Sequence, residues 1–155
     1  MKVLVVYDTF SASRMTEKVA KTIGEILKEA GIEVDLFYVK DMDKSMIANY
    51  DCLIVGAPTM AFRISKEMAH FLDGLPGKEF SGKRAAAFDT QIQMMVSGNA
   101  AKGIEKKLKD LGFAIVKPPL VVYVESKVKE EWLFKTGELE KAKNWAQEVA
   151  KALSG

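Results

Sequence analysis

The 155-residue sequence is poor in the residues that covalent cross-links and metal centres require. It contains one cysteine, Cys52, and one histidine, His70. A single cysteine excludes an internal disulfide and any CxxC redox pair, and it is typical of a protein kept in a reducing cytoplasm. Cys52 lies in the apolar run YDCLIVGAP, where we expect it to be a small buried hydrophobic residue.

Long apolar segments and a large excess of one charge are also missing. No apolar run approaches the ~20 residues that a membrane span requires, and the N-terminus enters a strand-like segment without a signal-peptide layout. The net charge is +2, and Lys and Glu interleave along apparent helices, which is typical of solvated faces rather than a nucleic-acid footprint. We therefore expect a cytoplasmic protein that binds neither membranes nor nucleic acid.

The composition is that of a globular protein, and the length is that of one domain, residues 1–155. Apolar runs alternate with helical periods along the whole chain. The predicted strands are 2–7, 32–39, 51–59, 84–90 and 113–125, the last interrupted by Pro118–Pro119. The predicted helices run from about Thr16 to Gly31 and over 65–75, with Ser65 as N-cap, 98–112 and 136–153.

Repeated strand–helix units predict an α/β fold in which a doubly wound, five-stranded parallel sheet carries helices on both faces. Five strands in this length favour the order 2-1-3-4-5, which places a ligand crevice at the carboxyl ends of strands 1, 3 and 4. Any ligand should therefore contact the first turn, after Tyr7, the second turn, after Gly56, and the third turn, after Phe88.

The first turn, VVYDTFSASRMTEKVA, is rich in hydroxyl groups. Thr9, Ser11, Ser13 and Thr16 fall within eight residues, at the expected start of a helix. Free N–H groups at a helix N-terminus attract anions, and neutral hydroxyls add further donors, so this turn is a candidate phosphate cradle. The alternative, that a hydroxyl merely caps the helix, accounts for one hydroxyl only.

The second and third turns carry apolar and amide groups suited to a flat ligand. Met60 and Phe62 in GAPTMAFRISKEM offer soft and aromatic surface, although covering the end of the sheet is an equally good explanation of them. The third turn, AFDTQIQMMVSGNAAKG, is long for a strand-to-helix connection, which favours a functional loop. Its Asp89 and Gln91 supply polar groups, and Met94 supplies adaptable apolar contact.

These three stretches resemble the flavodoxin family. The segment AAFDTQ…SGNAAKGIEKKLKDLGFAIVKPP is similar to the flavodoxin-like domain of flavodiiron proteins, and no insertion of about twenty residues splits the last strand, as in short-chain flavodoxins. A diiron domain would need several histidines, and the chain has only His70. The resemblance implies non-covalent binding of FMN and electron transfer between redox proteins, with the cofactor supplying the chemistry and no catalytic residue or metal required.

The resemblance also implies which residues contact the cofactor, all of them in the three turns. They are Thr9, Phe10, Ser11, Ala12, Ser13, Arg14, Met15 and Thr16 in the first turn, Pro58, Thr59, Met60, Ala61, Phe62 and Arg63 in the second, and Asp89, Thr90, Gln91, Gln93 and Met94 in the third.

Two departures from the family pattern lead to specific expectations. The first turn is about two residues longer and lacks the family's glycine, so a positive φ at Ala12 would cost roughly 1 kcal/mol. We expect Arg14 to point at the phosphate and to compensate for this loss. Met60 stands where Tyr or Trp commonly stacks on the flavin ring, so the ring would be held less rigidly.

Three rival functions remain open at this stage. A flavin-dependent reductase of a small substrate such as a quinone would need an open face over the ring, whereas a flavin-free binding module would follow from the altered first turn. A response-regulator receiver needs a cluster of acids at the strand ends, and Asp8 and Asp89 alone support it poorly.

For the electron carrier, Arg63 and Lys66, opposed only by Glu67, predict a semiquinone/hydroquinone potential less negative than that of acidic flavodoxins.

Overall fold

The computed structural model describes residues 1–9, 14–60, 63–77, 79–93, 99–126 and 132–155. The strands are β1 (Lys2–Tyr7), β2 (Glu33–Tyr38), β3 (Cys52–Met60), β4 (Arg63–Ile64), β5 (Arg84–Ile92), β6 (Ala114–Ile115), β7 (Leu120–Ser126) and β8 (Trp132–Phe134). The α-helices are α1 (Met15–Glu29), α2 (Lys66–Asp73), α3 (Ala100–Asp110) and α4 (Glu138–Ser154), and short 3₁₀ turns cover Val39–Asp41 and Lys44–Asn49.

One mixed sheet contains all the described strands. Its main path is β2-β1-β3-β5-β7-β8, with β4 paired to β3 and β6 paired to β5. The pairs along β2-β1-β3-β5-β7 and the β5–β6 pair are parallel, whereas β4 and β8 pair antiparallel to their neighbours. The expected α/β architecture with helices on both faces of the sheet is present, but the sheet is mixed: β4 and β8 are short antiparallel strands that the expected five-stranded parallel sheet did not include.

The predicted last strand, 113–125, is divided into β6 and β7. Pro118 and Pro119 lie between the two pieces, and proline has no N–H to donate to a sheet ladder. The indole Nε1–H of Trp145 on α4 donates to the carbonyl oxygen of Pro118 at 2.9 Å. The break is thus held against the covering helix as well as by the N–H of Val116, which donates to the carbonyl oxygen of Ala85 on β5 at 3.0 Å.

Helices cover both faces of the sheet, which explains the unbroken apolar strands. Val3 and Val5 of β1 pack in one core cluster with residues of α1 and α4. Leu4 and Val6, which alternate with them, pack in a second cluster with residues of α2 and α3. Because successive side chains point to opposite faces, a strand buried on both sides must be apolar at every position.

Gly56 of β3 lies directly beneath an aromatic ring of the next strand. It is the register partner of Phe88 on β5, whose side chain is fully buried. A Cβ added at Gly56 would lie 2.0 Å from Cζ of Phe88, well inside van der Waals contact. The close packing of β3 against the Phe88 ring therefore requires the absence of a side chain at this position.

Cys52 is buried at the start of β3, as predicted. Burial raises the pKa of its thiol to about 12, so the thiolate is negligible at neutral pH. In the described part of the chain, each helix is too short or too polar to cross a membrane.

Candidate functional site

A cavity of about 390 Å³ opens at the carboxyl ends of β1, β3 and β5. Ten of the described residues line it, from the three turns and from β7 and β8 at one edge of the sheet. They are Thr9, Met15, Thr16, Pro58, Thr59, Thr90, Gln91, Ile92, Val124 and Trp132. The first seven are among the residues that the sequence pattern selected, and they come from all three predicted turns.

The strands extend further towards this cavity than the sequence indicated. β3 continues to Met60 and β5 to Ile92, so Pro58 and Thr90 are paired residues of adjacent strands. The hydroxyls of Thr16 and Thr90 lie 2.8 Å apart in a buried hydrogen bond that joins the start of α1 to β5. Much of the cavity wall is therefore built on the sheet, which holds it more rigidly than free loops would.

Arg14 precedes α1 in the left-handed conformation, with φ of 51°. Its Nη2 donates to Oε1 of Glu17 at 2.8 Å, and the hydroxyl of Tyr7 donates to the same oxygen at 2.6 Å. Burial and the hydrogen bond to the Glu17 carboxylate raise the pKa of Tyr7 to about 12. The structure thus pairs the guanidinium of Arg14 with Glu17, and the position of Ala12 lies outside the described residues.

Asp8 connects the end of β1 to the start of α2. Its Oδ2 accepts from the Ser65 hydroxyl at 2.6 Å, and its Oδ1 accepts from the N–H of Thr9 at 2.9 Å. Ser65 does occupy the N-cap position of α2, but its side chain makes no capping bond, because the hydroxyl is directed to Asp8. Asp8 is fully buried, and burial raises its pKa, against the opposing effect of the two donors.

Asp89 is a buried carboxylate that binds three donors behind the cavity wall. Its Oδ2 accepts from the Thr59 hydroxyl at 3.0 Å, from Nε2 of Gln91 at 2.9 Å and from the N–H of Ala101 at 3.1 Å. The Thr59 hydroxyl oxygen in turn accepts from the N–H of Ala100 at 2.9 Å. Asp89 therefore ties β3, β5 and the first turn of α3 together.

The second oxygen of Asp89, Oδ1, is buried without a hydrogen-bond partner among the described residues. Burial raises the pKa of Asp89, and the donors to Oδ2 oppose that shift. Within the same described ranges, no salt bridge reaches Asp89. A carboxylate that is buried without a cation is costly when ionised, and the hydrogen bonds to Oδ2 offset part of that cost.

The remaining predicted site residues are not among those that line the described cavity, or they lie outside the described residues. Arg63 is exposed on β4, and Gln93 is exposed and accepts from Nζ of Lys135 at 2.9 Å. Met60 ends β3, opposite Arg63 in the antiparallel pair. Outside the described residues lie Phe10, Ser11, Ala12, Ser13, Ala61, Phe62 and Met94.

Sequence reasoning missed three residues of the wall: Ile92, Val124 and Trp132. Ile92 continues the run DTQI, and extending β5 by two residues would have included it. Val124 sits inside an ordinary apolar strand, which carries no signal of a ligand site. Trp132 reaches the cavity only because β8 folds back on β7, and the sequence KVKEEWLF gave no indication of that return.

Fold and site together define an α/β protein with a hydroxyl-lined cavity at the carboxyl edge of a doubly wound sheet. The sequence model of the flavodoxin family matches residues 5–137. The chain belongs to the flavodoxin family, whose members bind a flavin.

Individual relatives agree with this assignment. A flavodoxin of Clostridium saccharobutylicum is 36% identical over 91 residues, covering 58% of this chain and 56% of that protein. An NAD(P)H dehydrogenase (quinone) of Methylocella silvestris is 35% identical over 111 residues, covering 56% of this chain and 55% of that protein. The chain thus spans about half the length of these two curated relatives.

Solved structures show the same fold over the whole chain. A flavodoxin from the domain Archaea superposes with a TM-score of 0.81 at 24% identity and covers 100% of both chains. The rubredoxin oxygen:oxidoreductase of Desulfovibrio gigas has a TM-score of 0.79 at 28% identity, covering 99% of this chain and 36% of that one.

Proposed function

We propose that this protein binds FMN in the described cavity and carries electrons between redox proteins. The observation that carries the proposal is the convergence of four hydroxyl-bearing residues, Thr9, Thr16, Thr59 and Thr90, on a cavity beside the N-terminus of α1. Free helix N–H groups suit a phosphate, and the threonine hydroxyls, three of which also hydrogen-bond within the protein, give the cavity a neutral polar side suited to a sugar-alcohol chain. FMN, when bound, supplies reversible one- and two-electron chemistry.

The apolar part of the wall fits the other end of that cofactor. Met15, Pro58, Ile92, Val124 and Trp132 give the cavity a largely apolar lining beside the hydroxyls. Its volume lies within the range of about 300–1,000 Å³ that is usual for small-molecule sites. Among these apolar side chains, Pro58 of the second turn and Ile92 of the third would face the flat ring.

Arg14 and Tyr7 have a defined role in this proposal. Glu17 places a carboxylate in the first turn of α1, where it would repel a phosphate group if its charge were free. The two donors to its Oε1 hold the carboxylate in place, and its charge is offset by Arg14 and by Lys21, whose Nζ lies 3.7 Å from Oε2. Arg14 therefore favours phosphate binding by pairing with Glu17, as well as by any direct contact.

FMN binding is the first expectation to test. Purified protein, or apoprotein mixed with FMN, should bind one flavin, measured by quenching of flavin fluorescence. Thr16→Val should weaken binding by about 2- to 10-fold, because a neutral hydrogen bond contributes about 0.5–1.5 kcal/mol. Thr22→Val is the matched control, since the Thr22 hydroxyl donates to the Lys18 carbonyl within α1. Native protein that takes up no flavin would refute the proposal and favour a flavin-free binding module.

A flavin-dependent reductase is the second candidate. It is favoured by the relative named NAD(P)H dehydrogenase (quinone) and by Ile92, a residue of the cavity wall whose side chain is 50% exposed and offers apolar surface to a substrate. Steady-state oxidation of a nicotinamide donor by a quinone, catalysed by the protein alone, would identify this activity. An electron carrier would need an added redox protein to turn over.

The cations beside the second turn predict a shifted reduction potential. Arg63 and Lys66 are exposed, and no described residue forms a salt bridge with either, whereas Glu67 pairs with Lys40 at 3.7 Å. A nearby cation stabilises the reduced, anionic ring, so Arg63→Gln should make the potential of the second one-electron step more negative by on the order of 20–60 mV.

A redox titration of native protein beside Arg63→Gln measures this shift. Lys28→Gln is the control. It removes one positive charge in the last turn of α1, at the end of the helix away from the cavity, and should leave the potential unchanged. Coincident curves for native protein and Arg63→Gln would place the guanidinium away from the ring. The same exposed cations favour redox partners with an acidic docking face.

A further inference from the structure

Trp132 is the only aromatic residue among those that line the described cavity. It does not belong to any of the three turns, because it opens β8, the antiparallel strand beyond β7. Its register partner is Ser126, two residues past Val124, which lines the same cavity. Because β8 pairs with β7, it brings the indole of Trp132 to the cavity from outside the three turns.

Alternation along β8 defines which face of the sheet Trp132 occupies. Phe134 packs against the core cluster that contains α1 and α4. Residues two apart on a strand share a face, so Trp132 lies on the α1 side, whereas Leu133 points to the other side and is 42% exposed. Met15 and Thr16, the first residues of α1, line the same cavity.

Trp132 therefore lies on the same side of the sheet as α1, whose first residues line the cavity with it. That helix end is where a phosphate would bind, while Pro58 and Thr59 of β3 form the other side of the wall. Between a phosphate at the helix and a ring held by the second and third turns lies the sugar-alcohol chain of a flavin. An indole offers this chain a broad apolar surface at low entropic cost.

We propose that Trp132 packs against the ribityl chain of the bound flavin and is a determinant of its affinity. The inference rests on the proposed function, because it assigns a contact in that same site.

The test compares flavin affinity across variants of β8. Trp132→Ala should weaken the binding of FMN about 5- to 20-fold, while Trp132→Phe, which keeps an aromatic face, should stay within about 3-fold of native. Leu133→Ala is the matched control: it truncates an apolar residue of the same strand on the opposite face, and it should leave the affinity unchanged. The melting temperature of each apoprotein, followed by circular dichroism, reports any loosening of the hairpin.

Riboflavin separates a ribityl contact from a phosphate contact. Because both ligands contain the ribityl chain, Trp132→Ala should weaken riboflavin and FMN by the same factor. A loss confined to FMN would overturn the assignment to the ribityl chain. Equal losses in Trp132→Ala and Leu133→Ala, accompanied by lower melting temperatures, would also overturn it, because they would show a structural effect of the hairpin.

Tryptophan emission gives a second readout that does not depend on redox activity. The chain has two tryptophans, and Trp145 is buried on α4 with its Nε1–H bound to Pro118. Titration with FMN should therefore change the emission of Trp132, measured in Trp145→Phe, more than the emission of Trp145, measured in Trp132→Phe. Native protein that binds no FMN would refute the proposed function itself, whereas native binding with unchanged affinity in Trp132→Ala would refute only the role of Trp132.

Discussion

Gly56→Ala is expected to destabilise the protein by about 3 kcal/mol or more, since a methyl group there would overlap the Phe88 ring. The predicted Cβ lies 2.0 to 2.3 Å from three ring atoms of a side chain that is fully buried, so neither the ring nor β3 can move away freely. For a chain of this size the melting temperature should fall by roughly 6–12 °C.

Urea unfolding followed by circular dichroism measures this loss. Gly77→Ala is the control, because an added Cβ at Gly77 meets nothing within 4 Å. Phe88→Leu in the Gly56→Ala background should restore part of the stability, so the two substitutions should cost less together than the sum of their separate effects. Additive costs would show that the ring is not the obstacle.

Asp89→Ala is expected to cost about 2–4 kcal/mol of folding free energy. The substitution leaves the Thr59 hydroxyl, the Gln91 amide and the Ala101 N–H without their shared acceptor, and each buried, unpaired donor is costly. Gln91→Ala, which removes one donor and keeps the carboxylate, should cost about 1 kcal/mol. Urea unfolding of the apoproteins compares the two, and equal losses would mean that Asp89 is not the centre of this network.

The raised pKa of Asp89 also predicts how stability changes with pH. In the unfolded chain the group ionises near 3.8, before it does in the folded protein, so its stabilising contribution is complete below that pH. That contribution is lost as the pH rises from about 4 through the folded pKa.

Asp89→Asn removes this titration and keeps an acceptor for the donors. The stability of native apoprotein relative to Asp89→Asn should therefore be greater at pH 4 than at pH 7. Other carboxyl groups titrate in both proteins, so their effects largely cancel in the difference. The opposite trend would show that the three donors outweigh burial and lower the pKa of Asp89.

The elements that the sequence predicted well are those in which every residue has the same degree of burial. Val3 to Val6 are apolar at successive positions because helices cover both faces of β1, and this pattern can be read without a structure. Ser65 was placed correctly before α2, but its hydroxyl is directed to Asp8, 57 residues earlier in the chain. A choice between a local cap and a distant carboxylate depends on packing that one segment does not encode.

The sequence predicted the part of the cavity wall that lies at the carboxyl ends of the strands. Thr9, Thr16, Thr59 and Thr90 line it because a parallel sheet brings its carboxyl ends to one edge. Asp89 was expected to contact the ligand; in the structure it is fully buried and is not among the residues that line the described cavity. Trp132 could not be predicted, because a three-residue antiparallel strand after a charged segment has no distinct pattern.

The two edge strands of the sheet affect whether copies of this chain associate at high concentration. An open strand edge is a template on which another molecule can add a strand, the first step of many aggregates. At one margin β2 carries the charged residues Glu33 and Asp35, with Lys2 beside both at 3.9 Å. At the other margin β8 pairs for only three residues. Charge at one edge and brevity at the other both discourage growth of the sheet from molecule to molecule.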